Sequence, residues 1–458
     1  MQVTGTRALR IGAAEGFYGD ALEPAIVTAQ RGDIDYLCFD CLAELTLAIL
    51  QKDRQKDPAA GYTRDVVPAM RALLPIAREQ GFKILTNAGG MNPLGAQQAV
   101  MEVARRLGLR GLKVACVTGD DILDRLDTLR ASGVPLDDMQ TGRDIDEVRA
   151  RLVFANAYLG TEPIVAALAQ GADVIITGRT TDSAQFLAPL IYEFGWQDAD
   201  RLAQGILMGH LLECSGQATG GNFSGDWRAI EGLDHIGFPI AEVQESGEFV
   251  VTKAEGTGGL VSVDTVKEQM LYEIHDPAAY LTPDVVLDLT AARLEQVGPD
   301  RVRVTGAHGK PRPATLKVVM GYQDGWLGQA IVGFSWPDAL EKAQAADQIV
   351  RQQIARAGLV YDEVRTDYLG YNSLAGPLAP PLQGEPNEIY LRIAARTPNY
   401  ADAARLARFF PPLALSGPPT MSGFTGIMPP RELVGMWSCL VPRDLIERDV
   451  AIHIEEVE

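Results

Sequence analysis

The chain reads as an α/β protein: a mostly parallel, doubly wound sheet in the N-terminal half followed by an α+β region. The first observation is a rhythm. Short β-rich runs at Ala8–Ile11, Tyr36–Phe39, Lys83–Leu85, Lys113–Val117 and Val174–Ile176 alternate with amphipathic stretches such as Leu22–Arg31 and Ala96–Leu107, as βαβ units require. The second is the unbroken apolar run Val174-Ile175-Ile176, which suits a parallel strand covered on both faces. The third is a change of texture from about Ile240. There two-period strands and turns take over, at Glu248–Thr252, Arg301–Thr305, Thr315–Val319 and Ala330–Phe334.

A helix is predicted over Asp338–Ala357, then a Pro/Gly-rich stretch, Gly376–Pro386, which reads as a linker or an ordered loop. The closing segment holds a strand from Glu388, a helix at Tyr400–Phe409, a Gly/Pro loop at Ser416–Pro430 and a final strand. These features divide the chain into 1–239, an α/β parallel-sheet domain, 240–375, an α+β domain, and 376–458, a segment packing on the preceding regions.

Composition narrows the function. With 41 Lys+Arg against 60 Asp+Glu the net charge is −19, which argues against nucleic-acid or anionic-membrane partners. No apolar run is long enough to span a bilayer, and Met1–Arg10 carries no leader-like core, so a cytoplasmic location is expected. The five cysteines, Cys38, Cys41, Cys116, Cys214 and Cys439, are an odd number in a long chain and read as reduced thiols. The five histidines never cluster and no zinc-type spacing occurs, so no metal is predicted and no cofactor is assigned.

Ligands of open parallel sheets bind beyond the carboxyl ends of the strands, where turns and helix N-termini present free N–H groups. Here every such end is polar or Gly-rich: Gly12–Asp20, Asp40–Glu44, Thr86–Pro93, Thr118–Asp121 and Thr177–Asp182. Any one of them is explained by capping and turn chemistry. All five together predict a pocket walled by Asp40, Asn87, Asn92, Arg179 and Asp182, with Asp40 and Asp182 as catalytic candidates. Gly12, Gly16 and Gly19 with Asp40 downstream look like a loosened dinucleotide loop, but three residues separate the first two glycines where the fingerprint has one. Cys38-Phe-Asp-Cys41 has redox spacing, yet Cys38 falls inside a strand and reads as a small buried hydrophobe, leaving Cys41 as the better candidate for a reactive thiol.

Two further clusters stand out. A helical pattern ending at Cys214 puts His210, Glu213 and Cys214 on one face, where acid–base or nucleophilic work competes with a plain buried His–carboxylate pair. The polar turn Thr219-Gly220-Gly221 follows. Lys253, then Gly256-Thr257-Gly258-Gly259 before a predicted helix, could cradle a phosphate or carboxylate through backbone amides, although no Walker-type loop is present.

The ordered motifs G-x-x-x-G-F-Y-G-D, R-G-D-I-D-Y-L-C-F-D-C-L-A-E, T-N-A-G-G-M-N-P, G-A-D-V-I-I-T-G-R-T-T-D-S-A, G-H-L-L-E-C-S-G-Q-A-T-G-G and K-A-E-G-T-G-G resemble the acyclic terpene utilisation (AtuA-type) family over most of the chain. That resemblance implies a cytoplasmic protein of acyclic-terpenoid or branched-acid breakdown, with a CoA thioester as substrate. It supplies no catalytic residues. Longer relatives carry an additional ferredoxin-like C-terminal domain, so a separately encoded small subunit is an expected partner, alongside a homo-oligomer and a small anionic substrate. The leading expectation is a lyase, a hydratase, dehydratase or C–C lyase, with Glu213 or His210 as base, Asn87, Asn92 and the Gly256–Gly259 amides on the oxyanion, and Arg179 and Lys253 on anionic groups. The rivals are a thioesterase or transferase using Cys214 or Cys41, and a non-catalytic acyl-CoA-binding or scaffold subunit.

Overall fold

The computed structural model describes residues 8–424 and 426–458, so residues 1–7 of the N-terminal stretch read above lie outside the described residues. The predicted alternation is present. Five strands, β1 (Leu9–Ala13), β2 (Tyr36–Phe39), β3 (Lys83–Thr86), β4 (Lys113–Thr118) and β5 (Val174–Thr177), run parallel in the spatial order β1-β2-β3-β5-β4. The helices Leu22–Arg31, Val66–Gln80, Pro93–Arg106 and Ala184–Phe194 fill the connections between and after them. Every residue of β2 and of β5 is buried. Successive strand side chains point to opposite faces, so both faces of the sheet are covered.

Antiparallel strands extend the sheet at both edges to ten. Pro239–Val243 pairs with β1, with Ile240 opposite Gly12, followed outward by Phe249–Lys253, Arg301–Thr305 and Arg293–Gly298. At the other edge the terminal strand Ala451–Glu456 pairs with β4. Among the described residues the chain forms two compact units, one of residues 8–147, 153–320 and 436–458 and one of Val148–Leu152 and Gly321–Gly435. The change of texture at Ile240 marks a switch from parallel to antiparallel pairing inside one sheet, because an antiparallel neighbour needs no crossover helix. The runs predicted at Thr315–Val319 and Ala330–Phe334 are parts of one strand, Thr315–Ser335.

The second unit is α+β. Trp326–Ser335 pairs with Glu388–Thr397, which pairs in turn with Glu363–Leu369. The helix Ala339–Arg356 lays Ala343, Ala346 and Val350 against Val332, Leu391 and Ile393, all buried in one core. Among the described residues, no helix is long and apolar enough to cross a membrane.

Leu85, at the centre of β3, is fully buried and pairs with Cys38 and Ile175 on its two sides. Leu85→Ala removes buried methyl groups and leaves a cavity in the sheet's interior, at a cost of about 2–5 kcal/mol. A fall in the thermal and urea midpoints is the expected result.

Candidate active site

The register of the parallel strands aligns their carboxyl ends. Phe39 lies opposite Thr86, and Thr86 opposite Ile176, so Asp40, Asn87 and the Thr177–Arg179 turn emerge side by side. Asn87 is completely buried and serves as a brace: its Nδ2 donates to Asp40 Oδ1 at 2.5 Å and its Oδ1 accepts the Cys41 N–H at 2.6 Å. One oxygen of Asp40 is thereby pinned. Its carboxyl, 8% exposed, is held well above the usual carboxylate range, first by burial and then by Asp182, which outweigh Arg179 and the Asn87 hydrogen bond.

Arg179 occupies the next position and is 2% exposed. Its Nη2 donates to Asp182 Oδ1 at 2.6 Å, its Nη1 donates to the Leu42 carbonyl, and its guanidinium lies 4.0 Å from the Tyr158 ring centroid. The backbone N–H of Arg179 donates to Asp120 Oδ2 at 2.8 Å, an oxygen that also accepts from Asn156 Nδ2 at 2.8 Å. Burial pushes the Asp120 carboxyl up to about 6 despite these donors. Gly178 makes the arrangement possible, since a Cβ there would stand 2.5 Å from the Asp120 carboxylate.

The helix Ala199–Glu213, capped at its start by Asp198 accepting the Arg201 N–H, delivers His210 and Glu213 from its last turn. His210 Nδ1 and Glu213 Oε1 are 2.9 Å apart, and the pair is 1% and 4% exposed. Gln269 donates to the His210 carbonyl at 2.8 Å and fixes the turn. His210 Nε2 and Glu213 Oε2 have no partner among the described residues. Burial disfavours charge on the imidazole, but the Glu213 carboxylate overcomes it and holds His210 above its ordinary value. Burial likewise holds the Glu213 carboxyl above its own, against the pull of His210. The loop after β1 packs directly on this turn, because a Cβ on Gly16 would meet the Glu213 carbonyl at 2.8 Å.

Asp40, Arg179, Asp182, Glu213 and Cys214 share the wall of one cavity of about 990 Å³, whereas Asn87, Asp120 and His210 are not in it and act through those residues. Apolar residues complete it, among them Phe17, Leu233, Ile236, Phe238, Leu281 and Leu316. A smaller cavity of about 640 Å³ beside Trp196 contains none of these polar groups. Tyr158, Tyr280 and Lys317 are wall residues that the sequence analysis did not single out, and Glu44, at the end of the predicted Asp40–Glu44 turn, joins them. Tyr158 donates to Glu44, and Lys317 Nζ lies 3.1 Å from the same carboxylate. Burial notwithstanding, Tyr158, Arg179 and Lys317 hold Glu44 down to about 2. The Tyr280 ring packs against that of His210, with centroids 5.9 Å apart.

The other predicted residues fall elsewhere. Asn92 caps the helix Pro93–Arg106, accepting the Gly95 N–H at 3.0 Å, and donates to the Ala59 and Ala60 carbonyls. Thr219 is buried with its hydroxyl on the Gly216 and Gly237 carbonyls, Gly220 turns the backbone in the left-handed region, and Gly221 alone of this trio reaches the wall. The anion cradle is not formed. Lys253 Nζ is spent on the Thr257 carbonyl at 2.7 Å and on Asp300 at 3.2 Å. Thr257, Gly258 and Gly259 donate their amides to Ala254, His235 and Glu231, and Gly256 turns the chain beside Arg31, so none of the five lines the cavity. Cys38 is buried in β2 with its thiol on the Gln185 carbonyl. Among the described residues, no group of three or more His, Cys, Asp or Glu is arranged to hold a metal ion.

Glu15, 3% exposed behind this wall, is pushed up to about 8 by burial and then by Asp65 and Asp20. A carboxyl with a raised folded value binds its proton more tightly folded than unfolded. Its contribution is therefore full below its ordinary 4.5 and is lost as pH rises through about 8. Wild-type stability is expected to fall over that interval, and Glu15→Gln to flatten the fall by on the order of a few kcal/mol. Denaturation midpoints measured from acid to mildly alkaline pH check this; equal slopes for the two proteins would refute it.

The model of the family described as acyclic terpene utilisation family protein AtuA matches residues 9–452. No match to a curated protein or to a solved structure was found. With nearly the whole chain matched, this protein belongs to the acyclic terpene utilisation (AtuA) family.

Proposed function

We propose that this chain is an enzyme of acyclic-terpenoid or branched acyl catabolism, a hydratase, dehydratase or C–C lyase acting next to an activated carbonyl. The observation that carries the reading is the convergence on one cavity of two buried carboxyls, Asp40 and Glu213, the second paired with His210, which is not itself in the wall. Removal of a proton beside a carbonyl needs a base within reach and a donor for the oxygen that becomes negative. Glu213 is the base, its proton shared with His210. Asp40, whose burial and the neighbouring Asp182 favour its protonated form, is the donor, in place of Asn87, whose amide is already spent on Asp40. In the eliminating direction the α-proton passes to Glu213, the Cβ–O bond breaks, and the His210–Glu213 pair returns one proton to the departing β-hydroxyl, which leaves as water, so no net proton is left on the protein. Addition of water runs the same steps backwards.

Family membership supports a catabolic setting, and the apolar wall of the cavity suits a branched hydrocarbon body. A CoA thioester fits the expected substrate, carrying its negative charge in the nucleotide and a neutral carbonyl at the reacting end. The thiol route has less support. Burial and then Glu213 push the Cys214 thiol above its ordinary range, and burial and then Glu15 do the same to Cys41, so neither is a ready thiolate.

With a panel of branched acyl-CoA thioesters, Glu213→Gln and His210→Ala should each lower kcat by about a hundredfold or more, while Cys214→Ser keeps most of it. Full activity in both acid–base variants would sink the proposal. Turnover abolished by Cys214→Ser would move it to acyl transfer. Alkylation of Cys41 and Cys214 by iodoacetamide near neutral pH should be slow beside that of a free cysteine, a comparison read by mass spectrometry of the labelled peptides.

A further inference from the structure

We infer that the cavity accepts the reacting end of its substrate only as an uncharged oxygen function, a hydroxyl or the carbonyl of an ester, thioester or amide, and rejects the free carboxylate. This deepens the proposed function and rests on taking the cavity as the active site. Six carboxyl groups stand in the wall, those of Asp20, Asp40, Glu44, Asp182, Glu213 and Glu273. Two side chains with fixed positive charge face them, Arg179 and Lys317, with His275 exposed at the rim.

Neither cation is free. Arg179 gives one terminal nitrogen to Asp182 at 2.6 Å and the other to the Leu42 carbonyl, the Tyr158 ring covers its face, and Nε, which has no partner among the described residues, is itself buried out of reach of the cavity. Lys317 sits between Glu44 and the Tyr158 hydroxyl, at 3.1 and 3.4 Å. An arriving carboxylate would lose its water, meet Asp182 and Glu213, and find no cation to pair with. Uncompensated burial of a charge is among the costliest events in binding. A neutral carbonyl meets the opposite situation. Asp40 has Oδ1 held by Asn87 and no partner for Oδ2 among the described residues, so its proton is available to an oxygen acceptor. Asp182 is the residue that sets the selectivity. It neutralises Arg179, which would otherwise be the natural receptor for a carboxylate.

The test needs no turnover. A branched primary amide of about ten carbons and the free acid of the same skeleton are titrated into the full-length protein by calorimetry at neutral pH. The amide should bind at least about tenfold more tightly, the equivalent of about 1.4 kcal/mol. In Asp182→Asn the acid should gain several-fold and the gap should close, as Arg179 is released. Asp40→Ala serves as a second variant: it removes the donor proposed for the carbonyl oxygen, so amide affinity should fall several-fold and the gap should narrow from that side. Equal or tighter binding of the acid by the wild type overturns the inference, as does a gap unchanged in both variants, or binding of neither compound. Inactivity of the thioester panel with the amide preference intact would instead overturn the reaction class and leave the selectivity standing.

Discussion

A buried guanidinium is the constraint on which the site depends. Arg179 is almost wholly withdrawn from water, and a charge so placed is costly unless its donors and its faces are occupied. The surroundings occupy both terminal nitrogens and one face from separate parts of the chain, leaving Nε without a partner among the described residues. Asp182 comes from the same turn, the Leu42 carbonyl from the turn after β2, Tyr158 from the end of another strand, and Asp120, through the backbone of Arg179, from the end of β4. Satisfying one cation therefore ties several strand ends together. It also fixes where Asp40 and Asp182 stand, and so decides which charges a ligand would meet.

That dependence explains how the glycines are used. Gly178 brings Asp120 under Arg179, and Gly16 brings the first loop onto the turn that carries Glu213. In both places the space a Cβ would need is filled by a polar group that organises the site. The glycines of the Lys253 loop meet a different need. A Cβ on Gly258 would stand 1.9 Å from the Gly232 carbonyl, so that loop is glycine-rich because another piece of backbone crosses it. Glycine in a sequence announces close approach without saying what approaches.

The same distinction separates what could be read in advance from what could not. The parallel strands and their order of appearance were legible, because Tyr36–Phe39 and Val174–Thr177 are apolar runs bounded by helical periodicity, and such runs have few other ways to be buried. The polar strand ends were legible as a group, since a parallel sheet puts them on one edge. His210 and Glu213 followed from helical spacing alone. The partners of Arg179 were harder. Glu44 looked like the start of a helix, which it also is, and Tyr158, Tyr280 and Lys317 reach the cavity from segments that follow no parallel strand. Asn92 shows the converse error. It sits in the turn after β3, but it is the N-cap of the following helix, spends its side chain on capping and does not line the cavity.

The buried acids carry a cost that the rest of the molecule must offset. Asp40, Glu213 and Glu15 are each held above their ordinary range chiefly by burial, which means that the fold has surrounded them with too little compensating charge. A stability-driven arrangement would have paired them with lysines or replaced them with apolar side chains. Here the available cations are committed elsewhere: Arg179 to Asp182, Lys317 to Glu44, and Lys253 to Asp300 outside the cavity. Glu44, the one wall acid with a cation and a phenol to itself, is the one driven down to about 2. The acids of the cavity thus differ in what surrounds them: Lys317 and Tyr158 hold Glu44 down, while burial holds Asp40 and Glu213 up, and of those two only Glu213 has His210 beside it. Separating acids in this way is what allows a single fold to offer both a proton donor and a proton acceptor at neutral pH. In this protein the separation follows from which acids the two cations and His210 reach.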